Sequence, residues 1–272
     1  MTDVPSRYRG VWRRLSLRDT DGSVDTRTQV HWLQTGSLYC DLRVPAERPD
    51  ASAARSLDDL DDRALGRLAE QQGFAGVLEV VGDICRWRRE IDYQPATGSE
   101  DAGRTWFDEG VLVEEGVHAD YTEHWQCLEG GTGETLSLTL AGEDDASGGQ
   151  RARRGYLLVS GNYFMFALAR TCALPPAPSL AQLIADGDGR RDEVLRFLDF
   201  EISFGRRRGA AVPWRIDLST LPFREGLALL TPEHVPRHRG GARWEQPLDG
   251  TRGVYSRHWL SHEGRSDFRW FD

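Results

Sequence analysis

Residues 117 to 127 alternate strictly over eleven positions. The odd positions read Val117, Ala119, Tyr121, Glu123, Trp125 and Cys127, and the even ones His118, Asp120, Thr122, His124 and Gln126. Side chains on a strand point alternately to opposite faces, so a period of two predicts a β-strand over 117–127. One face is aromatic and aliphatic with a single carboxylic acid set into it, and the other is polar throughout. A carboxylate between Tyr and Trp on a covered face needs a partner or a proton, which makes Glu123 the first residue to test for function.

The rest of the chain fits a β-rich protein. Nine Trp and 10% aromatic residues against only 39% hydrophobic residues favour strands and lined interiors. At 272 residues the chain has room for one large β domain or two small ones. A net charge of -9 argues against nucleic acid as a partner, because neutralising phosphates needs clustered positive charge. All 34 basic residues are Arg, so a Schiff-base lysine, a P-loop lysine and a pyridoxal-phosphate anchor are excluded. Cys40, Cys85, Cys127 and Cys172 are far apart, form no Cys-x-x-Cys pair and read as small buried hydrophobes. The N-terminus lacks the apolar core of a signal peptide, and no apolar run reaches spanning length. These features predict a cytoplasmic chain with reduced thiols and no membrane partner.

Turn residues divide the sequence into short elements. Strands are predicted at 9–18, 26–35, 38–44, 76–81, 84–93, 104–113, 117–127 and 135–140, with a helix near 56–72 between the third and fourth. The stretch 142–154 has no periodicity and reads as a linker or long loop. Beyond it a hairpin (155–160 and 163–170), a helical insertion near 179–199 and further strands at 200–206, 213–219, 243–246 and 253–260 repeat the outline. Two units follow, 1–145 and 146–272.

Gly10-Val11-Trp12 at the start of an antiparallel series resembles the opening of the lipocalin and calycin barrels. Together with Leu38 to Arg43, Gly73 to Gly76, Trp87 to Asp92 and Tyr121 to Trp125, it is similar to the fungal Hri family, built from two lipocalin-like halves. That resemblance implies an all-β fold: two lipocalin-like antiparallel β-barrels or half-barrels packed together, each with a helical insertion. It implies no particular activity.

The predicted function is binding of a small, largely apolar or aromatic molecule inside the first barrel. Tyr121, Glu123, Trp125, Trp87, Arg89 and Trp32 line it, with His31, Arg43 and Tyr93 as further ligand-binding candidates. One alternative is a cofactor-independent lyase, isomerase or hydratase, with Glu123 as acid or base and Arg89 or Tyr121 stabilising developing charge. In the other, the barrels are filled and the protein is structural or binds a partner; Glu123 is then a structural acid paired with Arg89 or Arg43. His118 and Asp120 are too few for a zinc site, Asp186 to Gly189 lacks the spacing of a calcium loop, and no metal or cofactor is assigned. Haem at His31, with similar chemistry at His258, stays open. The expected partner is a small molecule; a homodimer is left open.

Overall fold

The computed structural model describes residues 3–51, 53–209, 211–250 and 253–271. Nine strands make the first sheet: β1 (Gly10–Arg18), β2 (Val24–Asp25), β3 (Gln29–Gln34), β4 (Tyr39–Val44), β5 (Gln72–Val81), β6 (Ile84–Asp92), β7 (Ala102–Asp108), β8 (Val111–Gly116) and β9 (Thr122–Cys127). Each pairs antiparallel with its neighbour, and β1 pairs with both β3 and β9. The sheet thus closes into an eight-stranded barrel, with β2 as a short addition to β1. Closure removes the free edges of the sheet and turns one face of every strand inward.

The alternating segment is shorter than its pattern. Residues 117–121 form the turn between β8 and β9, and only 122–127 is strand. The chain reverses at Gly116, where a Cβ would lie 2.2 Å from the Ala119 carbonyl oxygen and 2.5 Å from the Tyr121 ring. The predicted strand 104–113 is likewise two strands, broken at Glu109-Gly110, both with positive φ.

The second sheet contains β10 (Thr135–Asp145), β11 (Gln150–Arg151), β12 (Gly155–Ser160), β13 (Tyr163–Leu168), β14 (Glu201–Arg206), β15 (Arg215–Ser219), β16 (Arg237–Gly240), β17 (Arg243–Pro247) and β18 (Val254–Glu263). Its order is β15-β14-β13-β12-β10-β18-β17-β16, with β11 on β10, and among the described residues its two ends do not pair. Strand β10, which the sequence reading gave to the first unit, hydrogen-bonds in this sheet; the change of sheet falls between Cys127 and Thr135. Part of the expected linker 142–154 is ordered as the end of β10 and as β11. Strand β16 was not foreseen: Arg237, His238 and Arg239 give it no apolar face, and all four of its residues are exposed.

Each half carries its helical insertion at the same place, after a hairpin. Helix α1 (Asp62–Leu68) lies between β4 and β5, and α2 (Leu180–Asp186) and α3 (Arg191–Leu198) lie between β13 and β14. The Asp61 side chain accepts from the Ala64 N–H and caps α1, satisfying a donor that the first helical turn leaves open. Leu65 and Leu68 of α1 meet Leu180 and Leu198 in a core shared by both halves. The outer face of the barrel (Leu33, Cys40, Leu42) packs there against Leu158, Met165 and Ile202 of the second sheet. Strands β12 and β13 are therefore covered on both sides, which explains their nearly unbroken apolar runs. No helix among the described residues is long and apolar enough to cross a membrane.

Candidate ligand-binding site

Inside the first barrel the side chains sort into an apolar end and a charged end. At the apolar end a short turn, Ser6–Tyr8, plugs the opening. The Tyr8 hydroxyl lies 2.8 Å from Thr105 Oγ1, and the Trp12 indole N–H donates to the Tyr8 carbonyl oxygen at 2.8 Å. Trp12 stacks on Trp32, which meets Trp87 and Trp125 edge-on at 6.0 and 5.9 Å. Edge-to-face and offset contacts of this kind suit the ring quadrupoles.

At the charged end Glu123, 1% exposed, is the centre of a chain of ion pairs. Its Oε1 accepts from Arg14 at 2.7 Å and from Arg43 at 3.2 Å. Arg14 reaches on to Asp25 at 2.7 Å, and Arg43 to Asp41 at 2.8 Å. Glu114 lies on the neighbouring strand, cross-strand from Glu123. Burial first, and then the charge of Glu123, raise its carboxyl well above the ordinary range; its Oε1 accepts from the Tyr121 hydroxyl at 2.8 Å. Two facing acids in a closed interior cannot both ionise unless each has a cation. Among the described residues the arginine contacts go to Glu123 and none to Glu114, which favours the neutral form of Glu114.

The expected site residues divide into three groups. Glu123, Trp125, Trp87, Trp32 and Arg43 do meet in the barrel interior, but they fill it: the cavity among Trp32, Trp87, Trp125, Asp41, Arg43 and Glu114 measures about 10 Å³. That is room for about one water molecule. Tyr121 and Arg89 stand at the mouth. Arg89 pairs with Asp101 (2.6 Å) and Asp92 (3.0 Å) and lies 3.6 Å from the centroid of Phe74; of the two arginines expected at Glu123, Arg43 makes the contact, joined by Arg14.

His31 and Tyr93 are outside the barrel altogether. His31 alternates with the inward Val30 and Trp32, so it faces the second sheet and stacks on Phe204 at 4.1 Å; burial, with Arg13 nearby, pulls its pKa down to about 4. Tyr93 sits in the shared core, donating to the Leu68 carbonyl oxygen at 2.9 Å and meeting Phe200 edge-on. Along the strand 84–93 the side of Cys85, Trp87 and Arg89 does not continue to Ile91 and Tyr93, because a β-bulge shifts the register between Gly76/Arg89 and Ala75/Ile91. One extra residue on the bulged strand reverses the side of everything after it. Gly76 permits it, since a Cβ there would meet the Arg88 carbonyl oxygen at 2.0 Å.

Of the other histidines, His118 is on the exposed turn, 2.9 Å from Glu100, and His258 pairs with Asp144 at 2.6 Å. Among the described residues no group of three or more His, Cys, Asp or Glu stands close enough to hold a metal ion.

Two larger spaces exist. One is an open groove of about 1020 Å³ across the barrel mouth, edged by residues 94–102 and touching Trp87, Arg89 and Tyr121. The other, of about 540 Å³, lies on the inner face of the second sheet. Leu157, Phe166 and Leu168 line it from the sheet, Leu227 to Thr231 line it from a loop, and Glu143, Glu201, Gln246 and Arg257 contribute polar groups. The far end of this inner face is closed by the C-terminal segment: Trp270 packs on Trp214, Trp244 and Phe268, and its carbonyl oxygen accepts from the Trp214 indole at 2.7 Å.

Sequence reading missed Arg14 and Glu114 as partners of the central acid. Both stand two residues from an inward apolar residue (Trp12 and Leu112), so the period of two carries the signal. It missed the second pocket because its walls come from seven strands and several loops without a linear motif.

No family model matches the chain, and no curated protein matches it. In fold it is similar to the crystal structure of an uncharacterised protein from Saccharomyces cerevisiae, with a TM-score of 0.50 at 14% identity over 94% of this chain and 98% of that one. The likeness is one of fold and spans nearly the whole of both chains.

Proposed function

We propose that this chain is a small-molecule binding protein built on two lipocalin-like halves, and that its ligand sits in the second half, on the inner face of the open sheet. The observation that carries this reading is the contrast in free volume: about 10 Å³ inside the closed barrel against about 540 Å³ in the second half. A space of that size, with an apolar floor and a few convergent polar groups, is what small-molecule sites generally offer. Closure and the arginine-held carboxylates make the first barrel a rigid support. Glu123 is also ill placed for acid or base catalysis, since it is 1% exposed and already engaged by two arginines.

A second reading keeps the ligand on the first half, across the barrel mouth, and is favoured by the meeting of Trp87, Arg89 and Tyr121 at one groove. One titration separates the two. The neutral fluorophore N-phenyl-1-naphthylamine is expected to fill one saturable site per chain. Ala228 lines the second-half pocket from its loop, and Ala228→Trp is expected to abolish the site by filling it. Binding that survives Ala228→Trp, or no saturable binding, contradicts the proposal; survival combined with loss in Tyr121→Ala supports the mouth groove.

A further inference from the structure

The second-half pocket is electrically unlike the chain that contains it. Among the described residues five arginines (Arg55, Arg151, Arg153, Arg224, Arg257) and four carboxylates (Glu143, Asp199, Glu201, Asp249) line it, in a chain of net charge -9. Arg257 reaches the apolar floor. Its Nε donates to Glu143 Oε1 at 2.8 Å, and its guanidinium carbon lies 5.4 Å from the centroid of the Phe166 ring. Glu143 is 3% exposed and Arg257 is largely covered, so the pair is held in place by packing as well as by charge.

One bond through Nε orients a guanidinium without using it up. The two terminal nitrogens of Arg257 have no protein acceptor among the described residues, and the side chain lines the same pocket as Leu157, Phe166, Leu168 and Val254. Arg224 is arranged in the same way, with its Nε 3.2 Å from Glu201 Oε1. A planar fork of N–H groups held from behind by a carboxylate matches the two oxygens of another carboxylate, an arrangement a single ammonium cannot provide.

We infer that the pocket takes a molecule with an apolar body and one carboxylate, the body on Phe166 and Leu168 and the carboxylate on the terminal nitrogens of Arg257. This rests on the reading that the second-half pocket binds a ligand, and names the class of that ligand.

Competition against N-phenyl-1-naphthylamine tests it, with octanoate and octan-1-ol as probes of equal chain length. Octanoate is expected to displace the fluorophore at a concentration about tenfold lower than octan-1-ol, as a charge-assisted bidentate contact implies. Arg257→Gln alone leaves Glu143 without its cation and changes stability together with charge. The double variant Glu143→Gln/Arg257→Gln removes both charges together. It is expected to bring octanoate down to the level of octan-1-ol, each displacement being measured against the fluorophore's own affinity for that variant. Equal displacement by both probes in the unaltered protein, or an octanoate preference that persists in the double variant, overturns the carboxylate inference and leaves the pocket reading standing. Failure of the fluorophore to bind the unaltered protein overturns both.

Discussion

In the first half β1 pairs with β3 on one side and β9 on the other, and the ring of eight strands brings Trp12, Trp32, Trp87 and Trp125 into mutual contact with no usable space between them. In the second half β15 and β16 remain apart, and the same plan of hairpin, helical insertion and further strands leaves about 540 Å³ over its inner face. Each half has an aromatic plug at one end, made by Tyr8 with Trp12 in the first and by Phe268 with Trp270 in the second. Each half also sets arginine–carboxylate pairs into its interior. The difference lies in closure: a closed eight-stranded ring has an interior that side chains of Trp size can fill, whereas the open sheet keeps space that loops border. Buried charge has a different meaning in the two settings. Arg14 and Glu123, with side chains 4% and 2% exposed, have only each other and their neighbours; Arg257, at 16%, still faces a cavity.

Cutting one ion pair in each half measures that difference. Arg14→Met leaves Glu123 with Arg43 alone and Asp25 without its arginine, and is expected to lower unfolding free energy by about 3–5 kcal/mol in urea titrations. Arg257→Met, beside a cavity that water can enter, is expected to lose about 1–3 kcal/mol. Equal losses contradict the contrast between a sealed and an open interior.

A smaller effect sharpens the description of the sealed half. Burial raises the folded-state pKa of Glu114, so between the ordinary carboxylate range and that raised value the native protein holds a proton that the unfolded chain has released. Stability is then greatest at low pH for this group and falls as pH rises, by about 1.4 kcal/mol per pH unit through that window. Glu114→Gln keeps an acceptor for the Tyr121 hydroxyl and removes the titration. Its stability is expected to lie above that of the unaltered protein at neutral pH and to lack this fall; parallel curves for the two proteins contradict a protonated Glu114.

The β class, most strand positions, both helical insertions and the burial of Glu123 were legible in the sequence, because period-two alternation and turn residues record them locally. The alternation failed where glycine permits geometry that the pattern does not encode. Gly116 turns the chain inside the apparent strand 117–127, and Gly76 allows the bulge that sends Ile91 and Tyr93 to the opposite side from Trp87. His31 was grouped with Trp32 by adjacency, although neighbours on a strand face opposite ways, and it belongs to the junction with Phe204. The filling of the first barrel was not legible: the same aromatic list can line a cavity or occupy it, and only the distances across the ring decide. The second pocket was invisible for a related reason, since Glu143, Phe166 and Arg257 meet only through strand pairing across the sheet.

The most direct test of an empty second half and a filled first is a crystal structure of the protein grown with 8-bromooctanoate, in which anomalous scattering locates the bromine. The peak is expected over the floor formed by Phe166 and Leu168, with the carboxylate on Arg257. A peak inside the first barrel between Trp32 and Trp125, at the barrel mouth beside Tyr121, or nowhere on the chain contradicts the account.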